Sequence, residues 1–472
     1  MRSVFLLFKI HGRLIKPTRY LDRFSIHPAQ TILLSFLLVI LTGSLLLMMG
    51  FTTADGRGLS FIDALFTATS AVCVTGLIVV DTATHYTLWG QVVILALIQI
   101  GGLGIMILSF FAIFTLRKRV SLEDKLLLSY MLSEEDMSSL TKTLSSIVLT
   151  TLVIEAGGAF FLFIGFSSTA GAGWKTAFFS IFHAVSAFCN AGFALYSDSL
   201  EGFRSDPFIL GVVALLILLG GMGFSTLTNF RGVLGYGMKR ITKGKRHRGP
   251  FLTLNSRLVL KYTGRLLLTG LCLVYLLEHA HTMKSYRLGE QYLSAFFQSV
   301  TLRTAGFNSI PFGGLRDATY LVMILFMFIG AASGSTAGGI KVNSLAVITS
   351  SIASYLKNRK NVVIQNHTLP SEVVSKAYLI LLFGIGIVFL ATLSLALTER
   401  KPFLQLLFEA VSAFGTVGLS AGVTPRLTPL GKLTITLLMY LGRLGPLTIL
   451  SAARSNREPV PISFPQADIS IG

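Results

Sequence analysis

Gly415-Thr416-Val417-Gly418-Leu419 is the last of four short loops that recur along this 472-residue chain. The others are Cys73-Val74-Thr75-Gly76-Leu77, Cys189-Asn190-Ala191-Gly192-Phe193 and Arg303-Thr304-Ala305-Gly306-Phe307. Their glycines lie 116, 114 and 112 residues apart, and a phenylalanine stands ten residues before each: Phe66, Phe182, Phe296 and Phe408. Four copies of one unit in a single polypeptide predict four similar structural repeats about a common axis. The side chains of the loops share little beyond the glycine, so the backbone is what the repeat preserves. Glycine lets chains approach closely and reaches dihedrals closed to other residues, so successive carbonyls can face the axis. Rings of carbonyl oxygens replace the water shell of a dehydrated cation.

Composition gives the solvent. The chain is 52% hydrophobic and only 13% charged, with mean hydropathy +0.71; soluble domains carry about 25% charged residues. Spanning a bilayer takes about 20 apolar residues as a helix. Residues 31–51, 87–116, 143–168, 207–230, 256–277, 318–340, 377–398 and 430–453 meet that need, two spans per repeat. Between the members of each pair lie amphipathic stretches at 60–72, 174–188, 289–301 and 402–414, too short to cross. They read as re-entrant half-helices, which are tolerated only where the non-helical backbone is buried or lines a cavity. The fold class is thus an all-α polytopic membrane protein, with four parallel outer helix–pore loop–inner helix repeats in a pseudo-fourfold array around a central pore.

The net charge of +19 sits in the N-terminal arm, at 239–248 and at Lys357, Arg359 and Lys360. Those segments share one face if eight spans alternate, which places both termini in the cytoplasm. Neither stacking platforms nor a soluble binding module accompany the charge, so nucleic acid is excluded as a partner. Cys73, Cys189 and Cys272 are odd in number and widely spaced, unlike a disulfide framework or a metal site. The chain divides into a basic cytoplasmic arm (1–29), pore repeats at 30–116, 142–231, 255–357 and 372–455, connectors at 117–141, 232–254 and 358–371, and a tail (456–472).

The sixth span is interrupted by Gly330-Ala331-Ala332-Ser333-Gly334-Ser335-Thr336-Ala337-Gly338-Gly339-Ile340-Lys341, a poor helix interior. Two readings stand for it: a gate that blocks permeation below the filter, or a flexible kink. It lacks the Gly-Lys-Ser/Thr of a nucleotide-binding loop. Arg443 falls within the last span, where an arginine faces a cavity or a partner; either it latches the glycine loop through carbonyls or it snorkels. Arg303, a cation inside a cation filter, is expected to point behind its loop, with Glu409 as the suggested partner. Glu155 is either an ion-pair partner within the bundle or a cap. His183 and Glu409 occupy matching positions, without a nucleophile or metal-ligand cluster that would suggest an enzyme.

Together the four loops and Gly334-Ser335-Thr336-Ala337-Gly338-Gly339-Ile340-Lys341 resemble the Trk/Ktr/HKT potassium transporters over residues 30–455. The absence of two extra N-terminal spans makes the chain most similar to the Ktr membrane subunit branch. Leu302 stands where many members have proline or alanine, and Ser333 where some have proline. The fourth loop also approaches the potassium-channel filter TVGYG without its second glycine, which implies fewer ordered sites and weaker discrimination against sodium. The resemblance implies potassium uptake, in some members with sodium dependence, through a gated channel-like pore in a bacterial plasma (inner) membrane. It implies potassium sites at the filter residues Cys73 to Gly76, Cys189 to Gly192, Arg303 to Gly306 and Gly415 to Gly418. It further implies a gate at Gly330, Gly334, Ser335, Thr336, Gly338, Gly339 and Lys341 with Arg443, a homodimer, and a cytoplasmic nucleotide-binding RCK ring. The basic arm then meets that ring or anionic lipids. The rival reading is a sodium- or proton-coupled secondary transporter, which fits parallel repeats less well.

Overall fold

The computed structural model describes residues 28–116, 140–243 and 251–453. Residues 1–27 of the expected basic arm, 117–139 of the first connector, 244–250 of the second and the 456–472 tail lie outside the described residues. The rest is almost wholly helical. Repeat one comprises α1 (Pro28–Leu47), α2 (Phe61–Val72) and α3 (Leu88–Leu116). Repeat two comprises α4 (Leu140–Ala170), α5 (Trp174–Cys189), α6 (Pro207–Gly221) and α7 (Phe224–Lys243). Repeat three comprises α8 (Leu254–Glu278), α9 (Leu288–Thr301), α10 (Asp317–Phe328) and α11 (Val342–Leu356). A two-stranded hairpin, β1 (Val363–Ile364) and β2 (His367–Thr368), leads to α12 (Ser371–Thr398), α13 (Phe403–Gly415), α14 (Pro429–Leu444) and α15 (Pro446–Ala453).

The local chemistry explains where elements start. Asp206 and Thr428 cap α6 and α14 with their side-chain oxygens, and each is followed by proline, whose missing N–H costs nothing at the first helical position. The outer helices α8 and α12 end on buried glutamates that serve the next element. Glu278 accepts the Arg316 amide at 3.1 Å and the Thr319 hydroxyl; Glu399 accepts the amide of Thr428 at 3.1 Å and its hydroxyl at 2.5 Å. In the third and fourth repeats, therefore, an outer helix is tied directly to the start of its own inner helix.

Packing follows a cyclic order. The short helices α2, α5, α9 and α13 each lie against the outer helix of their own repeat, α1, α4, α8 and α12. Each inner helix lies against the short helix of the following repeat: α3 on α5, α6 on α9, α10 on α13, and α14 back on α2. Leu38, Leu382, Phe389 and Leu397 are among the large apolar residues left exposed, at 65–80% for Phe389, Leu38, Leu382 and Leu397. An apolar periphery of this kind suits a hydrocarbon solvent.

Eight spans were the expectation, with only the sixth interrupted; the structure breaks more of them. Among the described residues three helices are uninterrupted and long enough to cross: 145–169, 254–278 and 371–398. Two more are bent pairs, 207–221 with 224–233 at 107° and 429–444 with 446–452 at 90°. All four inner segments break. The third does so over the glycine-rich stretch, but the others need a single glycine with positive φ: Gly104 (75°), Gly223 (78°) and Gly445 (78°). Left-handed dihedrals end the helical ladder at once, and glycine adopts them without a steric penalty.

Candidate ion pathway

Each short helix ends in a loop built alike. The residue two before each glycine has positive φ, at Val74 (55°), Asn190 (59°), Thr304 (68°) and Thr416 (49°). The glycines follow at 93°, 70°, 78° and 90° for Gly76, Gly192, Gly306 and Gly418. Left-handed valine and threonine are rare because the β-branch crowds the backbone; such strain persists only where surroundings impose it. The alternation of hand turns backbone amides toward the helices. Thr75, Ala191 and Val417 amides donate to the Ser70, Ser186 and Ser412 carbonyls at 2.8, 2.7 and 2.8 Å. The Gly76 and Gly418 amides donate to Ser70 and Ser412 Oγ, both at 3.1 Å. These serines escaped the sequence reading, although they stand six residues before three of the four glycines.

The glycines adjoin one another in sequence order and close on themselves. A Cβ on Gly76 would lie 2.5 Å from the Ala191 carbonyl oxygen, one on Gly192 2.8 Å from Gly306 Cα, and one on Gly306 2.7 Å from the Val417 carbonyl oxygen. A Cβ on Gly418 would lie 2.1 Å from the Thr75 carbonyl oxygen. No side chain fits at any of the four.

The third loop corrects the sequence alignment. Phe66, Phe182 and Phe408 are fully buried, but in repeat three the fully buried phenylalanine is Phe297, while Phe296 is only partly buried. The Ala305 amide bonds to the carbonyl of Thr301, four residues back instead of five. The third repeat is thus one residue shorter between its buried phenylalanine and its glycine, and Thr301 takes the place of the serines. Arg303 then corresponds in register to Val72, Phe188 and Phe414, and lies in the turn just beyond the end of α9. Its side chain is 3% exposed and points behind the loop, where Nη2 donates to the Gly330 carbonyl at 3.0 Å. The suggested Glu409 partner is wrong. Glu409 is already occupied by the Ser420 and Thr424 hydroxyls, both at 2.6 Å, and by the Ala421 and Val423 amides at 3.1 and 3.3 Å. His183, its counterpart, donates from Nδ1 to the Phe179 carbonyl at 2.7 Å and accepts the Leu195 amide on Nε2 at 3.3 Å. Both side chains therefore hold the segment that follows a glycine.

Above the ring is a cavity of about 190 Å³ floored by all four glycines and walled by Asp81, Asp198, Glu201 and Asn308. Ser197 Oγ bonds Asp81 at 2.5 Å, and Asn308 bonds Glu201 at 2.6 Å. Burial, reinforced by neighbouring Asp198, raises the Glu201 carboxyl above its ordinary range; Asn308 and Arg204 oppose the shift.

On the other side of the ring the stretch 330–341 threads among all repeats. Its Ala332 and Thr336 amides bond to the Gly221 and Gly220 carbonyls at 3.1 and 3.5 Å, and its Gly334 carbonyl accepts from the Phe224 amide at 3.1 Å. A Cβ on Gly338 would fall 2.3 Å from Thr416 Oγ1, so the stretch abuts the fourth loop. Arg443 is buried, donating from Nη1 to the Thr336 carbonyl and from Nη2 to the Gly101 carbonyl at 2.5 Å. It does not snorkel. Lys341 Nζ turns back onto the Ala337 and Gly338 carbonyls. A second cavity of about 160 Å³ lies here, lined by Gly104, Phe224, Gly334, Lys341, Arg443 and Gly445 among others; the inner-helix breaks meet around it. Glu155 forms no ion pair among the described residues: it accepts from Gln99 Nε2 at 3.1 Å and from Cys189 Sγ at 3.7 Å. All three cysteines are free, and the described residues hold no cluster of potential metal ligands.

Comparison with known proteins agrees with this geometry. Residues 4–459 match the TrkH family, described as cation transport proteins. The Ktr system potassium uptake protein B of Bacillus subtilis is 39% identical over 451 residues, 94% of this chain and 97% of that protein. Its namesake from Vibrio alginolyticus is 41% identical over 446 residues, 94% of each. The potassium/sodium uptake protein NtpJ of Enterococcus hirae is 38% identical over 455 residues, 94% of this chain and 97% of that protein. The crystal structure of the potassium transporter TrkH from Vibrio parahaemolyticus superposes with TM-score 0.71 at 19% identity, over 93% of this chain and 86% of that one. This chain belongs to the TrkH family of cation transport proteins.

Proposed function

We propose that this chain takes up potassium across a bacterial inner membrane, through a gated pore whose filter is the ring of four glycine loops. The observation that carries the reading is the closure of that ring: Gly76, Gly192, Gly306 and Gly418 touch in order, with carbonyl oxygens of Thr75, Ala191, Ala305 and Val417 between them. Among the described residues none of those four oxygens accepts a hydrogen bond, which leaves them to a permeant cation. Backbone dipoles fixed in place replace hydration without a reorganisation cost at each passage. The cyclic order of inner helix on following short helix supports a pseudo-fourfold array of the repeats at 30–116, 142–231, 255–357 and 372–455. The relatives named for potassium uptake, and one for potassium and sodium, make potassium the cargo and sodium a second candidate.

The stretch 330–341 is the gate in this reading, with Arg443 as its latch and Lys341 as a tethered cation in the path. Its last residue caps α11, and α11 ends at the exposed basic residues Lys357, Arg359 and Lys360. A cytoplasmic nucleotide-binding RCK ring acting on that end would pull directly on the gate. Membership of a Ktr system by its relatives supports such a partner. The same basic residues suit anionic lipids, and two such chains would form the homodimer, with both termini cytoplasmic.

Rubidium uptake into proteoliposomes under an imposed potential, comparing wild type with Gly306→Ser, tests the filter. Potassium-competed uptake in wild type and lost discrimination against sodium in the variant is the expected result. Equal selectivity in both proteins would overturn the backbone filter and favour a carrier.

A further inference from the structure

The third filter loop lacks the support that its neighbours have. In repeats two and four, His183 and Glu409 reach from the short helix to the backbone three residues beyond the glycine, at Leu195 and Ala421. With the one-residue register shift, the counterpart in repeat three is Gln298, and the counterpart of Leu195 and Ala421 is Ser309. Gln298 and Ser309 are both fully buried, yet neither Oε1 nor Nε2 of Gln298 is engaged by a described residue, and neither is Ser309 Oγ. Two further hydroxyls share this condition: Ser294 Oγ and Thr301 Oγ1. Ser294 and Thr301 are also fully buried and lie four residues before and three after Gln298, on one stripe of α9. Five polar atoms on these four buried residues thus lack a partner among the described residues, and buried polar groups are almost always satisfied by protein or by water.

We infer that Gln298 is the positioning residue of the third filter loop. It acts on the 307–309 segment through a small buried polar site, lined by Ser294, Thr301 and Ser309, that takes neutral hydrogen-bonding ligands, namely water. The donor and acceptor set is neutral throughout, which suits water and offers no anionic oxygen to a cation. One quadrant of the filter is then mounted on exchangeable solvent, whereas His183 and Glu409 mount two others on direct bonds. Water-mediated links are nearly as favourable as direct ones but rearrange more readily, so the third loop is the compliant member of the ring. This inference rests on the filter reading above.

The test uses the full chain in proteoliposomes with Gln298→Leu, which removes the polar atoms, and Gln298→Glu, which offers the group that repeat four uses. Two readouts are combined: amide hydrogen exchange of 303–311 against 189–196, and rubidium-to-sodium uptake ratio. Expected are exchange about tenfold faster at 303–311 alone in Gln298→Leu, a reduced uptake ratio, and near wild-type values for Gln298→Glu. Unchanged exchange in Gln298→Leu overturns the positioning role whatever the flux. Faster exchange with an unchanged ratio overturns it too, provided Gly306→Ser alters the ratio in the same preparation. If Gly306→Ser leaves the ratio unaltered, the filter reading itself has failed and the inference falls with it. A Gln298→Leu protein that does not fold leaves Gln298→Glu and Ser309→Ala to decide by the same two readouts: wild-type exchange and ratio in Ser309→Ala overturn the proposal.

Discussion

Two cavities of similar size face each other across the glycine ring, and they carry opposite charge. The outer one, about 190 Å³, has Asp81, Asp198 and Glu201 in its wall; the inner one, about 160 Å³, has Lys341 and Arg443. The difference lies in how each is held as well as in sign. The outer wall is made by loops bonded to one another, such as Ser197 to Asp81 and Asn308 to Glu201. The inner wall is closed by a twelve-residue stretch that two cationic side chains hold through carbonyls. A vestibule of negative charge raises the local concentration of cations, whereas fixed cations beyond the ring oppose their exit. On the proposed function, one side of the ring would collect the cargo and the other would withhold passage.

Removing the latch is the most severe way to break this contrast. Charge-assisted hydrogen bonds contribute roughly 1.5–3 kcal/mol each, and Arg443 donates two such bonds, to Thr336 and Gly101. Losing one of them shifts a closed–open equilibrium by about tenfold or more. Arg443→Gln should raise partner-free rubidium uptake by at least about tenfold, with the rubidium-to-sodium ratio unchanged because the ring is untouched. Uptake equal to wild type at equal protein amount would reduce Arg443 to a structural strut and remove the functional contrast between the cavities.

The ring that separates the cavities is mounted unevenly, and a pair of alanine substitutions sharpens that point. Phe297 is fully buried and Phe296 only partly so. Phe297→Ala should cost about 3–5 kcal/mol of stability, and Phe296→Ala roughly a third of that, as read by thermal unfolding in detergent. Equal losses, or the reverse order, would restore the uniform ten-residue spacing and cancel the register shift in repeat three.

That shift shows what the sequence could and could not convey. The four glycines were legible because each is required at a backbone–backbone contact that no Cβ fits, and such a demand leaves one residue type. The phenylalanines misled at repeat three, where two adjacent phenylalanines made either alignment possible and only burial separates them. The glycine-rich stretch at 330–341 was legible as a break, since four glycines, two serines and a threonine cannot sustain a membrane helix. The equivalent breaks at Gly104, Gly223 and Gly445 were not, because a lone glycine is ordinary in a membrane helix and its dihedrals are invisible in sequence. Arg443 was readable as a residue in need of a partner or an interface, but latching and snorkelling stayed open until its burial decided between them. The partners of Arg303 and Glu155 were not, because a carbonyl that accepts from Arg303 and the amide and thiol that donate to Glu155 carry no charge pattern to match.

The smallest expected effect concerns the outer wall alone. Burial and Asp198 raise the Glu201 carboxyl above the ordinary glutamate range, with Asn308 and Arg204 pulling the other way. A raised value means that, as external pH falls, Glu201 takes up its proton before an ordinary glutamate does, and the vestibule loses one negative charge. Cation concentration at the ring should then drop, so uptake at limiting rubidium should fall by about twofold on acidification, while uptake at saturating rubidium stays level. Glu201→Gln removes the charge at every pH; it should show the lower limiting-rubidium uptake throughout and lose most of the acid dependence. Arg443 lines the inner cavity and not the outer one, so Arg443→Gln leaves the Glu201 carboxyl untouched and should retain the dependence that Glu201 supplies. If Glu201→Gln keeps the wild-type pH profile, Glu201 is not the group that senses external acid, and the outer wall loses its part in the contrast.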